Sequence, residues 1–272
     1  MERAEIKIPV TNFSVAQICD SGQCFRMVPL KDGRYQVIAC GRQLKLRQDG
    51  EVVTFYCERQ DYEDFWKRYF DLEADYGKII DSIDPDDAYL IRAAQFGSGI
   101  RILRQDLWEM IITFIISQQN HIKRIRKCID TICERYGMPC DGFFDFPTPG
   151  ALAGASEEEL RSCGLGYRSR YLAGTARAIA DGEVCLERLK EMGYQEAKAE
   201  LLKLPGIGSK VADCVCLFGL HHLDAFPVDT HIRQVLDKWY SDGFPTGRYV
   251  GYLGVLQQYT FYYDLMGEGR GN

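Results

Sequence analysis

The first 75 or so residues carry the hydrophobic and polar patterns of β-strands. Segments 34–40, 43–47 and 51–57 are rich in β-branched and aromatic residues or alternate Leu with polar residues, and Asp-Gly turn signals precede the first and separate the last two. These segments predict an antiparallel meander. A stretch of acidic and aromatic residues at 62–76 indicates a helix that leads out of it.

Beyond about residue 100 the apolar positions follow helical spacing. They lie on one face of each of two helices, at 107–115 and 122–136, and Asp106 with Glu109 resembles a capping box at the start of the first. Ser156 with Glu159 resembles a second capping box. Further helices are predicted at 168–180, 195–203, from 209, at 230–240 and at 249–265. The glycine-rich end at 267–272 should fray.

Together these patterns predict an α+β protein in two parts. We expect residues 1–100 to form an N-terminal antiparallel β-sheet domain with flanking helices. Residues 101–272 should form a mostly α-helical body with a helix–hairpin–helix at about 195–218. Because chemistry-bearing residues occur in both parts, we expect the functional site where the two parts meet.

Composition narrows the classes of protein that remain. The chain is 46% hydrophobic and 26% charged, as in proteins with a packed core. We find no signal peptide and no membrane-spanning stretch, which favours the cytoplasm with the nucleoid, or the nucleus in a eukaryote. The eleven cysteines include no Cys-x-x-Cys pair, so we expect free thiols, no metal site built on cysteine, and no cofactor.

The net charge of −6 argues weakly against a nucleic-acid partner, because binding depends on local clusters of basic residues. One such cluster spans 123–127, and Arg168 with Arg170 forms another. Each is either a phosphate-binding surface or simply a solvated helix face. The charges alone leave both interpretations open.

The segment Leu-Pro-Gly-Ile-Gly at 204–208 joins two predicted helices. Gly206 and Gly208 allow a tight turn and a close approach to a partner, and the following helix start offers unpaired N–H groups to a phosphate. The alternative is a plain helix–turn–helix corner. The spacing of the proline and the two glycines favours a contact with the DNA backbone.

Lys210 lies in the first turn of the helix that follows. The positive helix end and the apolar neighbours should lower its pKa and supply a neutral amine, although an exposed lysine is the common alternative. Cys214 lies one turn further on, on the same face. Asp229 begins a later helix, either as an ordinary N-cap or as a carboxylate that works with Lys210 to stabilise a sugar cation.

Residues 204–231 resemble the helix–hairpin–helix, the Gly/Pro-rich loop and the aspartate of the DNA glycosylase superfamily. Segments 208–214 and 227–231 are similar to the 8-oxoguanine DNA glycosylases in particular. The segment 21–26 resembles the opening of that family's base pocket. The segment 164–168 resembles its DNA-facing loop, and Gln257 and Phe261 fall in its base-contacting helix. The joint occurrence of separated motifs carries the resemblance.

This resemblance implies a bifunctional glycosylase and lyase that flips 8-oxoguanine out of duplex DNA. Lys210 would attack the sugar and Asp229 would stabilise the cationic sugar. Gly22 would accept a hydrogen bond from N7–H of the base, which guanine lacks. The remaining base contacts would come from Cys214 and Phe261, which sandwich the ring, and from Gln257, which reads the Watson–Crick edge.

The resemblance also implies contacts with the DNA around the lesion. Gln119 would fill the gap left by the flipped base, although segment 117–121 departs from the asparagine-rich run of better-known members. Tyr167 would wedge beside it, and Arg124 and Arg168 would contact the orphaned cytosine. His231 and Asp264 resemble a supporting pair.

The implied partner is therefore double-stranded DNA that contains 8-oxoguanine opposite cytosine, bound by a monomer. A structural alkali metal ion at the hairpin would fit the resemblance. Two alternatives stay open from the residues alone. The chain could be a non-catalytic helix–hairpin–helix DNA-binding module, or a glycosylase with a different damaged-base preference.

Overall fold

The computed structural model describes residues 4–267, so most of the predicted frayed end, 268–272, lies outside the described part. The N-terminal strands are β1 (Glu5–Pro9), β2 (Met27–Pro29), β3 (Tyr35–Ala39), β4 (Arg42–Asp49) and β5 (Val52–Tyr56). They pair antiparallel in the order β1-β5-β4-β3-β2. A second, two-stranded pair consists of β6 (Pro139–Cys140) and β7 (Phe143–Phe144).

The central hairpins of the sheet confirm the predicted meander. Asp49 pairs with Val52 across the β4–β5 turn, and Gly50 in that turn has a φ of +61°. A left-handed residue there suits glycine and lets the hairpin close tightly. Leu44 and Leu46 are fully buried on β4, so the alternation of apolar residues marks the core face.

The hydrophobic pattern did not predict three short elements of the N-terminal part. β1 forms the edge of the sheet beside β5, and β2 is only three residues long. A helix, α1 (Val15–Asp20), interrupts the region that we predicted as strands, and Ser14 caps it. Elements this short contain too few alternations or turns to produce a clear period.

Helices dominate the described chain after β5. Within the first of them, residues 59–69 run continuously through a π-helical segment, Tyr62–Trp66. Further π-helical and 3₁₀ segments are Arg161–Leu165, Gly166–Arg168 and Thr246–Arg248. The α-helices are α2 (Arg59–Asp61), α3 (Lys67–Tyr69), α4 (Tyr76–Asp81), α5 (Ala88–Phe96), α6 (Leu107–Ser117), α7 (Ile122–Tyr136), α8 (Pro149–Ala153), α9 (Glu157–Leu160), α10 (Ser169–Ala180), α11 (Leu186–Glu191), α12 (Tyr194–Leu201), α13 (Ser209–Phe218), α14 (Thr230–Trp239) and α15 (Leu253–Met266).

Helix starts follow the predicted caps with two corrections. Ser156 and Glu159 form the full capping box, whereas Asp106 caps α6 alone because the Glu109 side chain turns inward toward Arg26. The last helix begins at Leu253 rather than at 249. A 3₁₀ turn precedes it, and Gly251 has a φ of +95°, which a continuous helix does not allow.

Two hydrophobic cores meet at the segment 21–26. Cys24 packs into the core beneath the sheet, and Phe25 packs into the core of the helices. Gln23 is fully buried and fixes the segment: its amide donates to the carbonyl of Arg101 at 2.9 Å and accepts from the N–H of Leu103 at 2.8 Å. The backbone beside Gly22 is therefore held rigidly between the two parts.

Three helices surround the space next to this segment. The largely buried α6 packs against α13, and α15 packs against both α5 and α14. The starts of α13 and α14 and the middle of α15 consequently face one cavity. Among the described residues, no helix combines the length and the apolarity needed to cross a bilayer.

Candidate active site and DNA interface

A small cavity of about 40 Å³ lies between the segment 21–26, α13, the loop before α14 and α15. It brings together residues from distant parts of the chain, including six of those singled out from the sequence. Its lining consists of Ser21, Gly22, Phe114, Lys210, Cys214, Phe218, Pro227, Asp229, Gln257, Gln258 and Phe261. We refer to this cavity as the base pocket.

Gly22 forms one wall of the base pocket in a conformation that favours glycine. Its φ is +76°, and a Cβ added there would lie 3.5 Å from Cε1 of Phe261. The side chain of any other residue would thus strain the backbone and fill the space in front of the Phe261 ring. Sequence reasoning placed Gly22 and Phe261 in one pocket, and the structure brings them together.

Lys210 is half-buried at the start of α13, with its Nζ 5.5 Å from the ring centroid of Phe114. Cys214 lies one helical turn away on the same helix. The expectation of a lowered pKa is wrong. The negative charge of a Cys214 thiolate raises the pKa of Lys210, burial lowers it, and the carboxylate of Asp229 raises it further.

For the Cys214 thiol, the effect of burial on the pKa exceeds the effect of the nearby charge. Burial raises the pKa of its thiol, and the Lys210 ammonium only partly offsets this effect. At neutral pH the sulfur is therefore a thiol in an apolar wall, and Lys210 rests as an ammonium. Lys210 must lose a proton before its nitrogen can act as a nucleophile.

Asp229 caps a helix and also faces the base pocket. Its Oδ1 accepts a hydrogen bond of 2.9 Å from the N–H of Ile232, so it caps α14. It also lines the base pocket beside Lys210. One carboxylate oxygen is held by the helix, and that fixes the position of the whole group.

A second, open cavity of about 560 Å³ adjoins the base pocket. It is lined by Ser117, Gln118, Gln119, Asn120, Gly208, Ser209, Lys210, Val211, Asp229, Thr230 and His231. Lys210 and Asp229 line both cavities. The two cavities therefore meet at these two side chains.

Gln119 and Tyr167 project together at the edge of the open cavity. Gln119 is exposed and has a φ of +46°, an uncommon left-handed conformation for a residue with a side chain. Its Oε1 lies 3.5 Å from the hydroxyl of Tyr167, whose side chain is also exposed. Unusual backbone of this kind concentrates at functional sites.

The two arginines expected near this edge differ in environment. Arg124 is exposed, and its guanidinium donates to the carbonyl of Gly164 at 3.2 Å. Arg168 is only 4% exposed and donates to the carbonyls of Gln118 and Gln119. The predicted contact of Arg168 with a base does not agree with this arrangement, because its donors already hold the 118–119 turn in place.

The two glycines of the hairpin differ in packing: one is in tight contact with a side chain, and the other faces open space. Gly206 has a φ of +78°, and an added Cβ would lie 2.5 Å from Cγ of Tyr171. Gly208 begins α13 and has no atom within 4 Å of its added Cβ position. The N–H groups at the start of α13 are accordingly accessible, as a phosphate site requires.

The remaining predicted residues are fixed by contacts around the base pocket. The Gln257 amide donates to the carbonyl of Pro227 at 3.0 Å. His231 and Asp264 lie 2.8 Å apart, Nδ1 to Oδ2, and the His231 ring packs edge-on against Phe261 with centroids 5.7 Å apart. The pair thus supports the outer edge of the base pocket.

Sequence reasoning missed several residues of the pocket. Phe114 lies in the middle of the apolar run of α6, where nothing in the pattern separates a pocket residue from a core residue. Gln258 stands next to the predicted Gln257 and is buried, and nothing in the sequence pattern marked it as a pocket residue. Within residues 4–267, no group of three His, Cys, Asp or Glu side chains is arranged to hold a metal ion.

Comparison with known proteins assigns the family. The 8-oxoguanine DNA glycosylase N-terminal domain family matches residues 5–111, and the HhH-GPD superfamily of base excision DNA repair proteins matches residues 112–249. The N-glycosylase/DNA lyase of Saccharomyces cerevisiae is 32% identical over 87% of this chain and 71% of its own length. The chain belongs to the 8-oxoguanine DNA glycosylase family.

Solved structures of family members agree with this assignment. The 8-oxoguanine glycosylase/lyase of Clostridium acetobutylicum in its apo form is 36% identical and superimposes with a TM-score of 0.89, covering 97% of this chain and 98% of that one. The same enzyme with double-stranded DNA containing cytosine opposite 8-oxoguanine is 35% identical and gives 0.87 over 97% and 98%. The predicted fold class and the predicted enzyme class, a DNA glycosylase with lyase activity, are confirmed.

Proposed function

We propose that this glycosylase excises 8-oxoguanine from double-stranded DNA with Lys210 as the nucleophile. The observation that carries the proposal is that Lys210 and Asp229 line both the base pocket and the open cavity. A nucleotide flipped from DNA in the open cavity would place its sugar between these side chains and its base in the pocket. A non-catalytic DNA-binding module has no need for a half-buried lysine at that junction.

The chemistry follows from this placement. The deprotonated Lys210 nitrogen bonds to C1′ as the bond from C1′ to the base breaks, and the base leaves with the bonding electrons. Asp229 stabilises the positive charge that develops on the sugar. Ring opening gives a Schiff base, and loss of a C2′ proton then expels the 3′-phosphate by β-elimination.

Recognition of the base rests on the walls of the pocket. The carbonyl of Gly22 would accept a hydrogen bond from N7–H, which 8-oxoguanine has and guanine lacks. Cys214 and Phe261 would sandwich the ring, and Gln257 would face its Watson–Crick edge. The left-handed backbone of Gly22 and its closeness to Phe261 support this arrangement.

Preference for cytosine opposite the lesion rests on the second group of residues. Gln119 and Tyr167 would occupy the space left by the flipped base, and Arg124 would donate to the acceptors of the orphaned cytosine. Arg168 would act through the 118–119 turn that its guanidinium holds. The bacterial relative crystallised with cytosine opposite 8-oxoguanine supports this preference.

Phosphate contacts would come from the hairpin at Gly206 and Gly208 and from His231 beside the open cavity. A structural alkali metal ion at the hairpin remains a prediction. The carbonyls of Pro205 and Gly206 each already accept one hydrogen bond there, from Thr175 and Gln118, and keep a second lone pair that could face such an ion. We further propose that the protein acts as a monomer, in the nucleoid of a bacterium or the nucleus of a eukaryote.

Borohydride trapping tests the proposal directly. The wild-type protein should form a covalent adduct with a duplex that contains 8-oxoguanine, and Lys210→Gln should form none and cleave no strand while still binding DNA. The duplex with unmodified guanine is the control. Base release by Lys210→Gln at the wild-type rate would show instead that water is the nucleophile.

A further inference from the structure

The side chain of Gln118 links the turn that carries Gln119 to the hairpin. Gln118 is half-buried at the end of α6 and lines the open cavity. Its amide nitrogen donates to the carbonyl of Gly206 at 2.8 Å and to that of Ile115 at 3.3 Å. Because both neighbours are carbonyl oxygens, the nitrogen of the amide and not its oxygen must face them. One side chain thus joins two segments that lie 88 positions apart in the sequence.

The backbone of the same turn is held from its other side. Gln118 leaves α6 with extended backbone angles, and Gln119 follows with a φ of +46°. The guanidinium of Arg168 donates to the carbonyl of Gln118 at 2.9 Å and to that of Gln119 at 3.0 Å. Sparsely populated backbone conformations persist only where the surrounding structure fixes them. Arg168 and the Gln118 side chain together hold the left-handed residue in place.

Helix α10 closes these contacts into a ring. The side chain of Tyr171, on this helix, lies against Gly206. The hydroxyl of Thr175, one turn further on, donates to the carbonyl of Pro205 at 2.9 Å. The N-cap residue of the same helix is Arg168, which holds the turn. The turn and the hairpin are consequently both fixed to α10, and the amide bond to Gly206 joins them directly.

We propose that Gln118 is a positioning residue, which fixes Gln119 relative to the hairpin. When the hairpin holds the phosphates, Gln119 then stands at a set distance from them, at the place where the base pair opens. Segment 117–121 departs from an asparagine-rich run, and the departure has a physical reason at this position. An asparagine is one methylene shorter, so its amide would not reach the carbonyl of Gly206. This inference rests on the proposed base-flipping function.

A double-mutant cycle tests whether Gln118 acts through Gln119. Gln118→Met keeps the length of the side chain and removes the donor, and Gln119→Ala removes the side chain that fills the gap. We expect Gln118→Met to slow single-turnover release of 8-oxoguanine opposite cytosine roughly tenfold, because one hydrogen bond is lost. In the Gln119→Ala background the same substitution should change the rate by less than about twofold. Affinity for an undamaged duplex should stay at the wild-type value, since the hairpin still contacts phosphate.

Gln48 provides the matched control. It is also half-buried and its amide donates to the carbonyl of Phe13 at 2.9 Å, but it lies on β4 and lines neither cavity. Gln48→Met should leave the release rate unchanged, and urea unfolding compares the stability lost in the two variants. The proposal is overturned if Gln118→Met does not slow release, if it slows release equally with and without the Gln119 side chain, or if Gln48→Met slows release as much. Failure of the wild-type protein to release 8-oxoguanine would refute the proposed function instead.

Discussion

Lys210 sits where burial and charge act on it in opposite directions. Burial favours a neutral amine, whereas the charge of the Asp229 carboxylate and, once its thiol ionises at high pH, that of Cys214 favour the ammonium and together outweigh burial. The resting enzyme thus holds the proposed nucleophile in protonated form. In the proposed mechanism, loss of that proton must precede attack on the sugar, so the amine would become reactive through a change in its surroundings rather than by its position on the helix alone.

Arg124, near the 118–119 turn, leads to a prediction about the base opposite the lesion. Arg124 is exposed, so Arg124→Ala should remove a direct contact with cytosine and narrow the difference in excision rate between 8-oxoguanine opposite cytosine and opposite adenine. A lost hydrogen bond in such a pocket corresponds to roughly tenfold in rate. Single-turnover rates on the two duplexes measure this difference.

Arg170 provides the comparison, because it belongs to the other basic cluster and its guanidinium contacts the Tyr171 hydroxyl. Arg170→Ala should not change the ratio of the two rates. If Arg124→Ala weakens binding to both duplexes equally and reduces its dependence on salt, Arg124 grips phosphate and does not read the opposite base.

Individual site residues could be predicted where a motif marks them and not where only packing does. Gly22, Lys210, Cys214, Asp229, Gln257 and Phe261 were named from motifs, and all line the base pocket. Phe114 and Gln258 belong to the same pocket, but apolar and buried positions carry no signal of their function. The environments of Arg168 and Lys210 depend on groups distant in the sequence, so neither the burial of Arg168 nor the direction of the Lys210 pKa could be inferred.

At the scale of elements, two helix starts define the site. α13 and α14 begin at the edge of the open cavity. Gly208 occupies the N-cap position of α13, and the Asp229 side chain caps α14. Short caps of this kind are visible in the sequence, and for that reason most helix starts were predicted well. The three-residue strand β2 and the six-residue helix α1 are too short to show a clear hydrophobic period, and they were missed.

The double role of Asp229 gives a prediction at this scale. Asn caps a helix about as well as Asp, so Asp229→Asn should lower the free energy of unfolding by less than about 1 kcal/mol. Excision should nevertheless fall strongly, because the amide carries no charge to stabilise the sugar cation. Chemical denaturation and single-turnover excision, measured on the same preparation, separate the two effects.

Asp106→Asn is the matched control, since Asp106 caps α6 with a hydrogen bond of 2.8 Å to the N–H of Glu109 and lines neither the base pocket nor the open cavity. It should leave excision unchanged. Comparable losses of activity in both variants would mean that the cap, rather than the charge of Asp229, is what excision requires.

For the molecule as a whole, the sheet and the helices are joined by a buried ion pair near the segment 21–26. Arg26 and Glu109 lie 3.6 Å apart and are both nearly inaccessible to solvent. Burial raises the pKa of Glu109 to about 7, despite the opposing effect of the Arg26 charge. The two-part architecture was predictable from the change in hydrophobic period, but this junction was not, because its partners are 83 positions apart.

The raised pKa of Glu109 makes the stability of the whole molecule depend on pH. The folded state keeps a proton that the unfolded chain loses, so the free energy of unfolding falls as pH rises from the ordinary value of 4.5 to about 7. The loss should be on the order of 3 kcal/mol.

Glu109→Gln stays neutral and lacks this loss. In urea unfolding from pH 5 to 8, the free energy of unfolding of the variant should therefore rise relative to that of the wild type as pH rises. Glu159→Gln is the control: the Ser156 cap lowers the pKa of this carboxyl below 4.5, so the carboxyl is ionised in the folded and the unfolded state above about pH 5, and this variant should follow the pH dependence of the wild type from pH 5 to 8. Parallel curves for Glu109→Gln and the wild type would mean that Glu109 is ionised throughout this range, and that the ion pair with Arg26 is strong enough to overcome burial.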